Sequence, residues 1–172
     1  SSTAIYDSSG NAASTSQSNN TISLNDQTSP TVTGSTIAND NSTIAVTFSE
    51  AVYNTNGGSG SLEASDFALS ISGGTATVNA TPSSIAISNS NKTYTLGLTI
   101  TNTPDGAETL TVVPSGATAI YDAAGNAAST TQSNNTISLI DKAVPTITGT
   151  TIANDNSTIA VTFSEAVYNT LN

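Results

Sequence analysis

The sequence predicts an all-β fold, a two-sheet antiparallel sandwich repeated in tandem. Apolar residues alternate with Thr, Ser and Ala over short stretches, the period of a half-buried strand. Clusters of Asn, Asp, Gly, Ser and Pro punctuate those stretches at short intervals, as turns require. Capped runs with the helical period are missing. About seven or eight short strands without helices make a sandwich.

The strands read off in order. In "STIAVTFS", Ile44, Val46 and Phe48 share one side against Thr43, Ala45 and Thr47. "SLEASDF" at 61–67 has room for one short helical turn at most, and "DFALSI" then sets Phe67, Leu69 and Ile71 inward. Ile85 and Ile87 alternate in "SSIAIS". In "TYTLGLTI", Tyr94, Leu96, Leu98 and Ile100 share a face against Thr93, Thr95 and Thr99. Ile137 and Leu139 close the series in "NTISL". Thr, Val and Ile suit a pleated, half-buried surface. The turns between them include "ANDN" (38–41), "NTNGGSG" (54–60), "SGG" (72–74), "NSN" (89–91), "TPDG" (103–106) and "DAAGN" (122–126).

The chain also copies itself. "TIANDNSTIAVTFSEAVYNT" stands at 36–55 and again, unchanged, at 151–170. Tyr6 recurs as Tyr121 and Glu50 as Glu165, 115 positions on, and of the 57 pairs between 1–57 and 116–172 only 13 differ. A period of this length is a whole domain rather than a solenoid or propeller repeat, and it buries a core without disulfides or metals. Boundaries are expected at "NDQTSPT" (25–31) and "IDKAVPT" (140–146). Residues 27–141 then form a complete repeat, 1–26 the last strands of a preceding one and 142–172 the opening strands of a following one. The chain reads as a stretch of a longer array.

Composition narrows the function. Net charge is −10, with two Lys, no Arg, His or Cys, and 12 acidic residues. Phosphate backbones and anionic membrane surfaces need cationic partners, so nucleic acid and membrane are excluded. No apolar run approaches the length of a membrane span. Without His or Cys no conventional catalytic triad forms. The four Glu and eight Asp fall mostly in turns, which argues against a glycosidase pair. The chain is expected to be no enzyme. A polar surface rich in Thr, Ser and Asn and poor in Lys suits an extracellular location.

Several stretches carry a resemblance: "AVTFSEAV" (45–52), "LEASDFALS" (62–70), "IYDAAGNAA" (120–128) with its copy "IYDSSGNAA" (5–13), and the D-x-x-x-P-T junctions from Asp26 and Asp141. In this order and spacing the whole chain resembles the tandem bacterial immunoglobulin-like repeats of giant cell-surface adhesins and motility-associated surface proteins. The resemblance implies an Ig-like sandwich, a stalk or extender function at the cell surface, neighbouring repeats as partners, and glycan or cell-surface ligands held by other domains. It also implies calcium bound by acidic residues of the D-x-x-G-N loop and the junction, here Asp7, Asp26, Asp122 and Asp141.

Each candidate has a plain counterpart. Asp122 and Asn126 are suited to closing their own turn, with Gly125 left-handed, and also to offering hard oxygen ligands. Glu50 continues the inward parity of Ile44, Val46 and Phe48, where an unpaired carboxylate would be costly. Either the strand ends at Ser49, or Glu50 sits at the rim bonded to amides or a cation. Asp122 and the outgoing junction residue Asp141, with the next unit's "ANDN" turn, are expected at one end of the domain (Asp40 and Asp155 being the copies of that turn). Carboxylates gathered there would repel unless a cation intervened. The alternative functions are a filament, sheath or S-layer subunit assembled by strand complementation, or a carbohydrate-binding sandwich, which would need exposed aromatics. An isopeptide bond through Lys92 or Lys142 is discounted, since Lys142 aligns with Gln27 and Lys92 lies in a turn.

Overall fold

A computed structural model of the chain describes residues 4–170; residues 1–3 and 171–172 of the two partial copies lie outside the described residues. The architecture is all-β. The strands are β1 (Val32–Ile37), β2 (Thr43–Phe48), β3 (Phe67–Ser72), β4 (Thr77–Val78), β5 (Ile85–Ser88), β6 (Thr93–Gly97), β7 (Ile100–Thr101), β8 (Thr109–Pro114), β9 (Thr136–Ser138), β10 (Ile147–Ile152) and β11 (Ile159–Phe163). The helical structure among the described residues is one 3-10 turn at Ala64–Asp66. Asp66 closes it by accepting the Glu63 amide at 2.7 Å, the short turn foreseen in "SLEASDF".

A four-stranded sheet in the order β1-β2-β6-β5 and a three-stranded sheet in the order β3-β8-β9 enclose the core, and β4 pairs with β7. All pairings between these strands are antiparallel. Every member of the buried apolar cluster lies between Val32 and Leu139. The period-two pattern drives this arrangement: β2 buries Ile44, Val46 and Phe48 while Thr43, Ala45 and Thr47 stay half-buried. Strand β8, which the pattern reading did not single out, alternates in the same way, with Leu110, Val112 and Pro114 inside.

Two expected strands depart from the pattern. "TYTLGLTI" breaks at Gly97, where the chain leaves β6 and Ile100 pairs with Val78 instead. Ile87 is 43% exposed, because β5 is the outermost strand of its sheet. The loop "NSNKT" reverses through three successive left-handed residues, Asn89, Ser90 and Asn91.

The hairpin β10–β11 reproduces β1–β2 residue for residue. Ile152 faces Ile159 as Ile37 faces Ile44, and the register shift at Val32/Gly34 recurs at Ile147/Gly149. What differs is burial, for both strands of the second hairpin are exposed throughout.

Candidate functional site

Three carboxylates meet at the end of the sandwich where β2 finishes. Oxygen atoms of Asp26, Glu50 and Asp122 lie within 4.8 Å of one another. Each is set by a different piece of chain. Asp122 follows a two-way backbone bridge in which the Tyr53 amide donates to the Tyr121 carbonyl at 2.7 Å and the Tyr121 amide to the Tyr53 carbonyl at 2.8 Å. The loop then closes on Asp122 itself, whose Oδ1 accepts the Asn126 amide at 2.7 Å and whose Oδ2 accepts Asn126 Nδ2 at 2.7 Å. Gly125 takes φ +95° to complete the turn.

Glu50 stands just past β2. Its neighbour Ser49 is pinned to the residue before β1, with the Ser49 amide donating to the Thr31 carbonyl at 2.8 Å and the Thr31 amide donating to Ser49 Oγ at 3.1 Å. Lys92 Nζ donates to the Ser49 carbonyl at 3.3 Å. Asp26 comes from the segment before β1, where its Oδ1 accepts the Thr28 amide and its carbonyl accepts Asn126 Nδ2 at 3.2 Å. Asn126 therefore ties the segment before β1 to the loop that follows Tyr121.

The electrostatics differ among the three. Asp122 is fully buried. Burial pushes its carboxyl up, but the bonds from Asn126, Gly125 and Ala124 outweigh this and hold it below the ordinary carboxylate value. Glu50 goes the other way: burial, then the charges of Asp122 and Asp26, raise its affinity for a proton. The cluster thus carries a net negative potential, which the Lys92 charge offsets at Glu50 only in part. Three carboxylates supply part of a calcium shell of 6–8 oxygens at 2.3–2.6 Å, the rest of which carbonyls and water would complete.

The other candidates lie apart. Asp7 heads the copied loop and accepts the Asn11 amide and Asn11 Nδ2, both at 2.9 Å, bonds that hold its carboxyl below the usual range. Asp141 accepts the Ala143 amide at 2.8 Å and packs against the "TPDG" turn at Gly106. Asp40 caps its own turn through Ser42, and Asp155 does the same through Ser157. Asp122 therefore meets Asp26 and Glu50 rather than Asp141. The reason is the course of the last segment, which runs beside β1 from Gln132, next to Val32, to Ile140, next to Asn41. That run carries Asp141 to the opposite end.

One buried acid escaped the pattern reading. Glu108 is fully buried. Its Oε1 accepts the Thr75 and Ala76 amides at 3.1 and 3.0 Å, and its Oε2 the Asp105 and Gly106 amides at 3.1 and 3.2 Å. The signal was present in the sequence, because Glu108 continues the inward parity of Leu110, Val112 and Pro114, as Glu50 does for β2.

The chain matches no known protein family and no curated relative. Among solved structures it is similar to the S-layer protein rSbsC(31-844), with 22% identity over 78% of this chain and 18% of that one at a TM-score of 0.46. It is similar also to the N-terminal part of the bacterial S-layer protein SbsC, with 22% identity over 78% of this chain and 31% of that one at the same TM-score of 0.46. The chain spans less than a third of the length of either.

Proposed function

We propose that the chain is a non-enzymatic structural repeat of an extracellular surface protein, a spacer in which Ig-like sandwiches follow one another. Strand orders β1-β2-β6-β5 and β3-β8-β9 correspond to strands A, B, E, D and C, F, G of the constant-type immunoglobulin sandwich. In this reading 27–141 is one unit, and the flanking segments belong to its neighbours. The observation that carries it is the joint, since a linker residue, Asp26, is bonded to Asn126 and faces Glu50 and Asp122. A spacer needs stiff joints, and a calcium ion shared by these carboxylates would supply one. The carbohydrate-binding alternative draws no support from the body of the unit. Among the described residues the strongly exposed tyrosines, Tyr6 and Tyr168, belong to the flanking segments.

Thermal melting with calcium and with chelator tests this reading. Calcium at a hundred times its Kd is expected to add about 2.7 kcal/mol, a rise of several degrees. With chelator, stability should fall as pH rises from 4.5, the ordinary value of Glu50, through its raised folded value, because the folded state binds the extra proton. Calcium should reverse that slope, since it binds the ionised form. Glu50→Gln should abolish both effects. Identical melting curves with and without calcium would remove the ion from the proposal.

A further inference from the structure

Of the 19 asparagines in the chain, Asn56 is the one followed by glycine. That pair carries a chemistry of its own. A glycine amide, unhindered by a Cβ, can reach the side-chain carbonyl carbon of the residue before it. The chain also holds one Asp-Gly pair, Asp105–Gly106 in "TPDG", which is open to the same ring closure. The fold treats the two pairs differently.

Asp105–Gly106 is locked. The Gly106 amide donates to Glu108 Oε2 at 3.2 Å, and Asp105 Oδ1 accepts the Ala107 amide at 3.0 Å. Nucleophile and electrophile are both held in other bonds. Asn56–Gly57 stands instead at the tip of a tight loop. The base of that loop is closed by a backbone bridge between Thr55 and Ser59, and by Thr55 Oγ1, which bonds the Ser59 carbonyl and lies 2.9 Å from Ser59 Oγ. Asn56 and Gly57 are both exposed, with Gly57 at φ +102°. Among the described residues the Gly57 amide donates to no backbone carbonyl.

The tip also lies against the Asp122 loop. Both loops spring from the bridge between Tyr53 and Tyr121. A Cβ added at Gly58 would stand 2.9 Å from Ala123 Cα, and one added at Gly125 would stand 2.2 Å from Asn56 Oδ1. The Asn56 side chain therefore packs on the turn that Asp122 heads.

We propose that Asn56 is a site of spontaneous deamidation in the folded protein, which places a further carboxylate beside the cluster of Asp26, Glu50 and Asp122. The Gly57 nitrogen attacks Asn56 Cγ. A bond forms between these two atoms, the Cγ–Nδ2 bond breaks, and the Gly57 amide proton leaves with the departing ammonia. The succinimide ring so formed takes up one water, and opening at either carbonyl gives aspartate or isoaspartate. Nothing is oxidised or reduced. The net charge of −10 becomes more negative by one unit. The fold selects the site, since it leaves this amide free and ties the one at Gly106. The added charge should strengthen the hold of the cluster on a divalent cation. That consequence rests on the calcium reading above; the modification does not.

Mass mapping of the whole chain, held at mildly alkaline pH either folded or in urea, tests the chemistry. A gain of about 1 Da is expected at Asn56 in the folded chain, with aspartate and isoaspartate products that chromatography separates. Isoaspartate should form at Asp105 only once the chain is unfolded. Asn56→Gln should lose the gain, because its longer side chain closes the ring less readily, and should melt as the parent does. Calcium titration of Asn56→Asp against the parent tests the consequence. A several-fold tighter Kd is expected at low salt and a smaller difference at high salt. A folded chain without a gain at Asn56, or with an earlier gain at another asparagine, overturns the modification. A gain at Asn56 with equal Kd values for Asn56→Asp and the parent overturns the effect on the cluster and leaves the modification standing. A parent that takes no calcium overturns the calcium reading and the consequence with it, while the mass result still decides the modification.

Discussion

Replacing Glu108 by alanine is expected to destabilise the sandwich by about 3 kcal/mol or more, because it removes a buried carboxylate that four backbone donors share, the Ala76 bond buried and the other three part-buried. The carboxylate joins two turns: Thr75 and Ala76 bond one oxygen, and Asp105 and Gly106 the other. Gly74 shows how closely the backbone wraps the group. It sits at φ +57°, and a Cβ there would lie 2.2 Å from Glu108 Oε1. Glutamine separates charge from shape. It fills the same space, but whichever way its amide is turned, the NH₂ faces two N–H donors. Glu108→Gln should therefore cost about 2 kcal/mol, and a near-neutral result would show that volume alone matters.

The same residue sets an acid limb. Burial raises the Glu108 carboxyl, but its amide bonds overcome this and hold it below its ordinary 4.5. The folded state then binds fewer protons than the unfolded one. The resulting stability is present above 4.5 and is lost as pH falls through the lower folded value. Asp122 adds to this limb, since its carboxyl is lowered from 3.8, whereas the opposite slope of Glu50 lies above 4.5. Urea unfolding of Glu108→Gln across this range should show a shallower acid slope than the parent.

Most of the fold was legible because period-two alternation reports burial directly. Ile44, Val46, Phe48, Tyr94 and Leu96 were read as inward and are all buried. The pattern loses its force where a strand is outermost, as at Ile87, or where the chain changes sheets, as after Gly97. The candidate site was legible in part. Asp26, Glu50 and Asp122 are visible as acids in a junction, at a strand end and in a turn, but their meeting depends on the direction of the last segment. Whether Gln132–Ile140 runs up or down beside β1 decides which junction Asp122 faces, and no local feature encodes that. Glu108 was missed for a different reason. Its place before "TLTVV" resembles a turn residue until the inward parity of Leu110 and Val112 is extended back by two positions.

Truncating Tyr94 to alanine should have the largest effect of any single change, about 4 kcal/mol, the cost of emptying an aromatic site in a packed core. The ring is fully buried between Phe48, met edge-on at 6.2 Å between centroids, and Phe67 at 5.9 Å. Its hydroxyl donates to the Val52 carbonyl at 3.0 Å. That bond secures the chain between Glu50 and Tyr53 and so supports the carboxylate cluster from below. Tyr94→Phe keeps the packing and leaves the Val52 carbonyl without this donor, at about 1–2 kcal/mol. Tyr94→Phe and the parent part at high pH. Burial, with a smaller contribution from Tyr53, pushes the Tyr94 phenol up from 10.0 to about 12. The unfolded chain therefore ionises first, and stability falls as pH rises from 10.0 towards 12. Tyr94→Phe should be weaker than the parent at neutral pH, yet lose less stability over that alkaline interval. Equal alkaline losses in Tyr94→Phe and the parent would mean that the phenol is not held protonated by the fold.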